Sequence, residues 1–191
     1  MEQHQHQHLD QDQDRSRNSL RAPAPPSMRA GFTLRPMALG DIDEVHALER
    51  SVFPHPWSRA NFVDSLASGY DAWVLLEEAA AGADGAHSGK ASGALAGYFL
   101  LMYAVDEAHL LDVALAAGHH GTGLGRYLLD RIAARARSMR MESILLEVRP
   151  SNERALQVYE RYGYGAIGRR KGYYPAHEGK REDAIVMRYV L

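Results

Sequence analysis

The chain has 191 residues, 46% apolar and 24% charged, with a formal net charge of −2. That is enough chain for one domain with a sizeable core, and it lacks the basic excess that marks a nucleic-acid binder. Cysteine is absent, which excludes disulfides, thiolate catalysis and cysteine-based zinc sites, and no apolar run reaches the ~18 residues of a membrane-spanning helix.

Residues 1–28, MEQHQHQHLDQDQDRSRNSLRAPAPPSM, are rich in Gln, His, Asp and Pro. Such a segment buries too little apolar surface to offset its ordering entropy, so a disordered tail is expected. Its alternating His4, His6 and His8 read as part of a solubilising or tag-like stretch rather than a metal site. The polar start does not resemble a secretory signal, and the cytoplasm is the expected compartment.

FTLRPM (32–37) reads as a first strand. Asp41 with Glu44 three residues later forms a capping-box pattern, and Ile42, Val45, Leu48 and Val52 make an apolar helical stripe. FPHPWS (53–58) is a rigid turn whose Ser58 caps a second short helix, to about Leu66. DAWVLLEE (71–78) is a strand, and the small, Gly-rich AAAGADGAHSGKASG (79–93) is a flexible hairpin loop. ALAGYFLLMYAV and EAHLLDVAL read as two further strands. Beyond a glycine cluster, Leu128, Leu129, Ile132, Ala133, Ala136 and Met139 recur at helical spacing. ESILLEV (142–148) is a buried strand, and NERALQVYERY (152–162) is a helix stopped at Gly163. Strands near YGAIGRR and EDAIVMRYV close the chain. The order β-α-α-β-β-β-α-β-α-β-β predicts a mixed α/β layer structure.

HGTGLGRYLL (120–129) joins a strand to a long amphipathic helix. A helix N-terminus has free N–H groups and a positive dipole end, and glycines let that backbone approach a phosphate closely. The loop lacks the Lys-Ser/Thr of a Walker motif and the spacing of a dinucleotide fingerprint. A structural turn remains the alternative. Two side chains invite a chemical reading. Glu147 interrupts the apolar ESILLEV strand, either as a base or as the partner of Arg149 on the same strand face. Tyr159 lies on the next helix, roughly in line with Ala155 and Tyr162, either as a core aromatic or as an acid.

HGTGLG resembles the acetyl-CoA signature of the GNAT acetyltransferases, Gln/Arg-x-x-Gly-x-Gly/Ala. Gly123 and Gly125 match, and His120 stands where Gln or Arg is usual. FPHPWS, DEAHLLDVAL, GLGRYLLD, LLEVRPSNERALQVYERYGY, RRKGYYP and REDAIVM, over about residues 31–190, are similar in order and spacing to the RimI branch. Its members are bacterial N-alpha-acetyltransferases of a small-subunit ribosomal protein. The resemblance implies a GNAT fold over 29–191, with a mixed central sheet of about seven strands flanked by about four helices. It implies acetyl-CoA as co-substrate and no metal. The pyrophosphate would be held by backbone N–H groups of Gly121, Thr122, Gly123, Leu124, Gly125 and Arg126. The backbone of Val113, Ala114 and Leu115 would receive the acetyl and pantetheine groups, and Asn152 would both cap its helix and contact CoA. Glu147 would be the proton acceptor, Tyr159 the proton donor, and Tyr173-Tyr174-Pro175 a loop covering the incoming peptide. The implied partner is the Ala-initiated N-terminal peptide of a ribosomal protein, met by a monomer that needs no nucleic acid or membrane. The rivals are a GNAT enzyme for other protein N-termini or small amines, and a non-catalytic acyl-CoA-binding module, which predicts loss of the base or the acid.

Overall fold

The computed structural model describes residues 29–78, 93–176 and 179–191. The expected tail, 1–28, and all but the last residue of the expected 79–93 loop lie outside the described residues.

Among the described residues seven strands form one sheet: β1 (Phe32–Pro36), β2 (Asp71–Glu78), β3 (Gly93–Tyr103), β4 (Glu107–Leu115), β5 (Ser143–Val148), β6 (Gly165–Pro175) and β7 (Arg181–Val190). Four α-helices join them: α1 (Ile42–Val52), α2 (Arg59–Ala67), α3 (Leu124–Ser138) and α4 (Glu153–Tyr162). The strand order is β1-β2-β3-β4-β5-β7-β6. Neighbours are antiparallel except β4 and β5, which run parallel and are connected through α3. The predicted element order and the GNAT architecture are both borne out.

Each face of the sheet carries its own core, because apolar side chains alternate along the strands. Ile42, Val45 and Phe62 of α1 and α2 pack on Val74, Tyr98, Leu100 and Ala114. Leu124, Leu128 and Ile132 of α3 pack on Phe99, Leu110, Ile144, Leu146 and Met187 of the other face, joined there by Ala155, Leu156 and Tyr159 of α4. The end of α2 nearer β1 follows the sequence expectation, with Ser58 Oγ accepting the Asn61 amide at 3.3 Å and the Asn61 side chain accepting the Ser58 amide at 2.9 Å. The capping box expected at Asp41 does not form. Its carboxylate instead takes the Arg35 guanidinium at 2.6 and 2.9 Å and the Ala38 amide at 2.8 Å, so it ties α1 to β1. A bidentate guanidinium–carboxylate pair is among the strong charge-assisted contacts, and here it directs Asp41 toward β1.

Two irregularities shape the middle of the sheet. In β4, Leu101 opposes Leu110 while Leu100 opposes Asp112, so Leu111 is the extra residue of a β-bulge. The bulge resets the alternation. Leu110 and Val113 share the α3 face, whereas Asp112 turns to the side of Tyr98. The parallel β4–β5 register then runs from Glu107–Ser143 to Leu110–Leu146 and stops, although both strands continue. Beyond that point β4 and β5 part, leaving a gap. Tyr173-Tyr174-Pro175, expected as a loop, lies in β6. The strand expected near YGAIGRR runs on past Arg170, through a break in the β6–β7 register between Arg170 and Tyr174 where Gly172 takes φ 55°.

Candidate active site

Backbone groups of the parted strands face the gap. The Ala116 amide bonds back to the Ala96 carbonyl. By alternation the Ala114 backbone also faces β3, and that of Val113 and Leu115 faces the open side. Of the three expected β4 residues, Ala114 is therefore turned away, with its side chain in the core.

The glycine loop lies just beyond β4. Gly121 and Gly123 take φ 79° and 86°, a region in which a side chain is strained. A Cβ on Gly125 would lie 3.7 Å from Leu115, so the loop hugs the strand end. The first hydrogen bond of α3 joins the Tyr127 amide to the Gly123 carbonyl at 3.1 Å. The amides of Leu124, Gly125 and Arg126 precede it, at the positive end of the helix. Bare glycines, unpaired leading amides and a positive dipole end fit a phosphate ester. His120 is turned away from this position, its Nε2 lying 3.1 Å from the Leu115 carbonyl. His119 packs edgewise on Phe32 and lies 3.5 Å from Glu77. Arg126 lies over the Tyr162 ring.

Glu147 is on β5, one residue past the last β4–β5 pair, with its side chain 25% exposed. Its cation is Arg170 of β6, at 3.0 Å. The Arg149 expected beside it is engaged elsewhere: it bonds to the Pro175 carbonyl at 2.9 Å, pairs with Glu182 at 3.4 Å and lies 4.2 Å over the Tyr174 ring. The Tyr174 hydroxyl donates to the Glu147 carbonyl at 3.0 Å. Tyr173 hydrogen-bonds the Glu147 carboxylate, and burial followed by that negative charge pushes its phenol up. The two rings meet edge to face at 4.9 Å.

Tyr159 comes to the same region from α4. Asn152 starts that helix, its side chain accepting the Ala155 amide at 3.2 Å, so the cap is observed. Burial pushes the Tyr159 phenol well up, and the Asp112 carboxyl and Tyr174 add to it. Tyr174 in turn feels Glu147 and Asp112. Glu147, Tyr174, Tyr159 and Asp112 therefore share one electrostatic neighbourhood at the gap.

Sequence reasoning missed a buried acid cluster behind it. Tyr98 on β3 donates to Glu49 of α1 and lies 3.1 Å from Asp112. Glu49, only 2% exposed, also accepts the Trp57 amide at 2.7 Å. A phenol has one hydrogen, so it donates to one of the two carboxylates at a time. Burial pushes both acids up, most of all Asp112, to which the Glu49 charge adds. The signal in the sequence is the place of Glu49 in α1, four residues after Val45 and three before Val52, on the apolar stripe itself.

Among the described residues, no group of three or more His, Asp or Glu is placed to hold a metal ion, and no helix is long and apolar enough to cross a membrane. The model of the acetyltransferase (GNAT) family matches residues 42–164. The chain is 28% identical over 155 residues to the ribosomal protein bS18-alanine N-acetyltransferase of Escherichia coli strain K12, covering 81% of this chain and 95% of that protein. The crystal structure of the Escherichia coli ribosomal-protein-S18-alanine N-acetyltransferase is similar at TM-score 0.68 and 27% identity, over 83% of this chain and 93% of that one. Arabidopsis thaliana NAA60 in complex with acetyl-CoA shares the fold, with TM-score 0.68 and 15% identity, over 84% of this chain and 98% of that one.

Proposed function

This chain belongs to the acetyltransferase (GNAT) family, and from that premise we propose that it transfers the acetyl group of acetyl-CoA to the N-terminal alanine amine of ribosomal protein bS18. Transfer is direct, in a ternary complex, by a monomer acting in the cytoplasm through residues 29–191. The observation that supports the reading is the end of β4–β5 pairing at Leu110 and Leu146, with the Glu147 carboxylate one residue beyond it.

The residues divide the chemistry as follows. Backbone amides of residues 121–126 hold the pyrophosphate, and Asn152 adds a contact to CoA while capping α4. The β4 backbone at Val113 and Leu115 takes the acetyl and pantetheine groups, and an amide there polarises the thioester carbonyl as its oxygen becomes negative. Ala114 contributes by joining these two residues to β3. Tyr173 and Tyr174 line the peptide side. Glu147, directly or through water, takes the proton that the amine must lose. A free α-amine has a pKa of roughly 8, so at neutral pH this requires much less than for a lysine. The amine nitrogen forms the new C–N bond, the C–S bond breaks, and Tyr159 gives its proton to the departing sulfur. Burial keeps the Tyr159 phenol protonated at neutral pH, so a proton is in place as negative charge develops on the departing sulfur. Holding both substrates in one gap supplies much of the rate.

The test is mass spectrometry of ribosomal protein N-termini from cells with and without this protein, paired with purified peptides. Acetylated bS18 alanine only in its presence is expected. Equal acetylation in both cell types, with turnover of other N-termini or small amines in vitro, would assign the same chemistry to a different amine.

A further inference from the structure

The glycine loop is short of cationic side chains. Residues 116–125 read AAGHHGTGLG. The imidazoles have partners outside the glycines, His120 the Leu115 carbonyl and His119 Glu77 and Phe32. The cation that does lie there comes from 93 residues earlier in the chain. Arg29, just ahead of β1, donates from Nη2 to the Thr122 carbonyl at 2.8 Å. Its Nη1 stands 3.3 Å from where a Cβ on Gly123 would be.

The start of α3 bears a positive partial charge and leading amides with no intrahelical acceptor, and a guanidinium beside them is repelled. The hydrogen bond to the Thr122 carbonyl holds it there against that repulsion. The arrangement becomes attractive when an anion of more than one charge lies between the guanidinium and the amides, and a guanidinium offers a planar fork of donors matched to phosphate oxygens.

We propose that Arg29 is a co-substrate-binding residue, a guanidinium brought from the edge-strand side to the pyrophosphate of acetyl-CoA in place of the long polar side chain that His120 does not supply. This rests on the acetyl-CoA reading above. The contact is made equally before and during transfer, so it lowers KM without changing kcat.

The experiment measures kcat and KM for the full chain and for Arg29→Ala and Arg29→Lys. Three donors are used: acetyl-CoA, acetyl-dephospho-CoA without the 3′-phosphate, and acetyl-pantetheine without any phosphate. Arg29→Ala should raise the acetyl-CoA KM about 10-fold, the size of one charge-assisted hydrogen bond, with kcat unchanged. Arg29→Lys should fall between the two, because it keeps the charge and loses the fork. The same penalty should appear with acetyl-dephospho-CoA and vanish with acetyl-pantetheine. A penalty lost with acetyl-dephospho-CoA would move the contact to the 3′-phosphate and overturn the assignment. A penalty kept with acetyl-pantetheine, or tighter binding by Arg29→Ala, would also overturn it, by showing a structural role or a plug. Calorimetry of the parent with acetyl-CoA separates the two claims. If the parent binds and Arg29→Ala binds equally well, only the Arg29 role fails. If the parent does not bind, the co-substrate reading fails and takes this role with it.

Discussion

The two strands that border the gap each carry an acid, and they are placed very differently. Glu147 on β5 is partly open to solvent and lies against the Arg170 guanidinium. Asp112 on β4 lies beside a phenol and the buried Glu49, with its carboxyl pushed well up by burial and by that neighbouring charge. One residue of bulge separates these outcomes, because an unbroken β4 would turn Asp112 to the α3 face with Leu110. Burial and the neighbouring Glu49 charge make the Asp112 carboxyl reluctant to ionise. The proposed base is the β5 acid, and the β4 acid ties β4 to Tyr98 of β3 beneath the site.

The largest effect should come from the β5 side. Glu147→Gln keeps the shape and removes the base, so kcat should fall by roughly 10²–10⁴ while calorimetric acetyl-CoA affinity is retained. At the glycine loop, Gly123→Val places a branched residue at φ 86°. The acetyl-CoA KM should then rise roughly 10- to 100-fold, with the circular dichroism spectrum unchanged. On the β4 side the effect on turnover should be small. Asp112→Asn mimics a protonated carboxyl and should change kcat less than about tenfold, below the range of a lost acid or base. A fall as deep as that of Glu147→Gln would erase the distinction between the two acids.

The two buried acids also make stability depend on pH. Because the folded pKa values of Asp112 and Glu49 are raised, the native protein binds more protons than the unfolded chain above the ordinary carboxylate range. Their contribution to stability is full at low pH and is lost as pH rises through the raised values. Melting temperature measured from about pH 5 to pH 8 should therefore decline less steeply in Asp112→Asn and Glu49→Gln than in the parent.

Most of the fold was legible because it rests on local pattern. The stripe through Leu128, Leu129, Ile132 and Ala136 marks α3, and Gly163, at φ 117°, stops α4 as expected. Glu147 and Tyr159 were visible as oddities of pattern, and resemblance gave them roles. What stayed hidden joins distant parts of the chain. Sequence spacing pointed Glu147 to Arg149, two residues along its own strand, whereas its partner Arg170 is on β6, with β7 lying between. The Glu49–Tyr98–Asp112 cluster draws on α1, β3 and β4, and its geometry depends on a bulge that no residue of LLDVAL announces. Arg29 reaches the glycine loop across the fold and falls outside every local motif.

The central claim is that Glu147 accepts the amine proton and Tyr159 supplies the thiolate proton, and parallel pH–rate profiles of Glu147→Gln and Tyr159→Phe test it most directly. With an Ala-initiated peptide and saturating acetyl-CoA, both variants should be slow near neutrality. Glu147→Gln should recover partly as pH rises, because more of the amine is already neutral. Tyr159→Phe should not, because alkali supplies no proton to the leaving sulfur. Parental rates for both variants across about pH 6–9 would contradict the account.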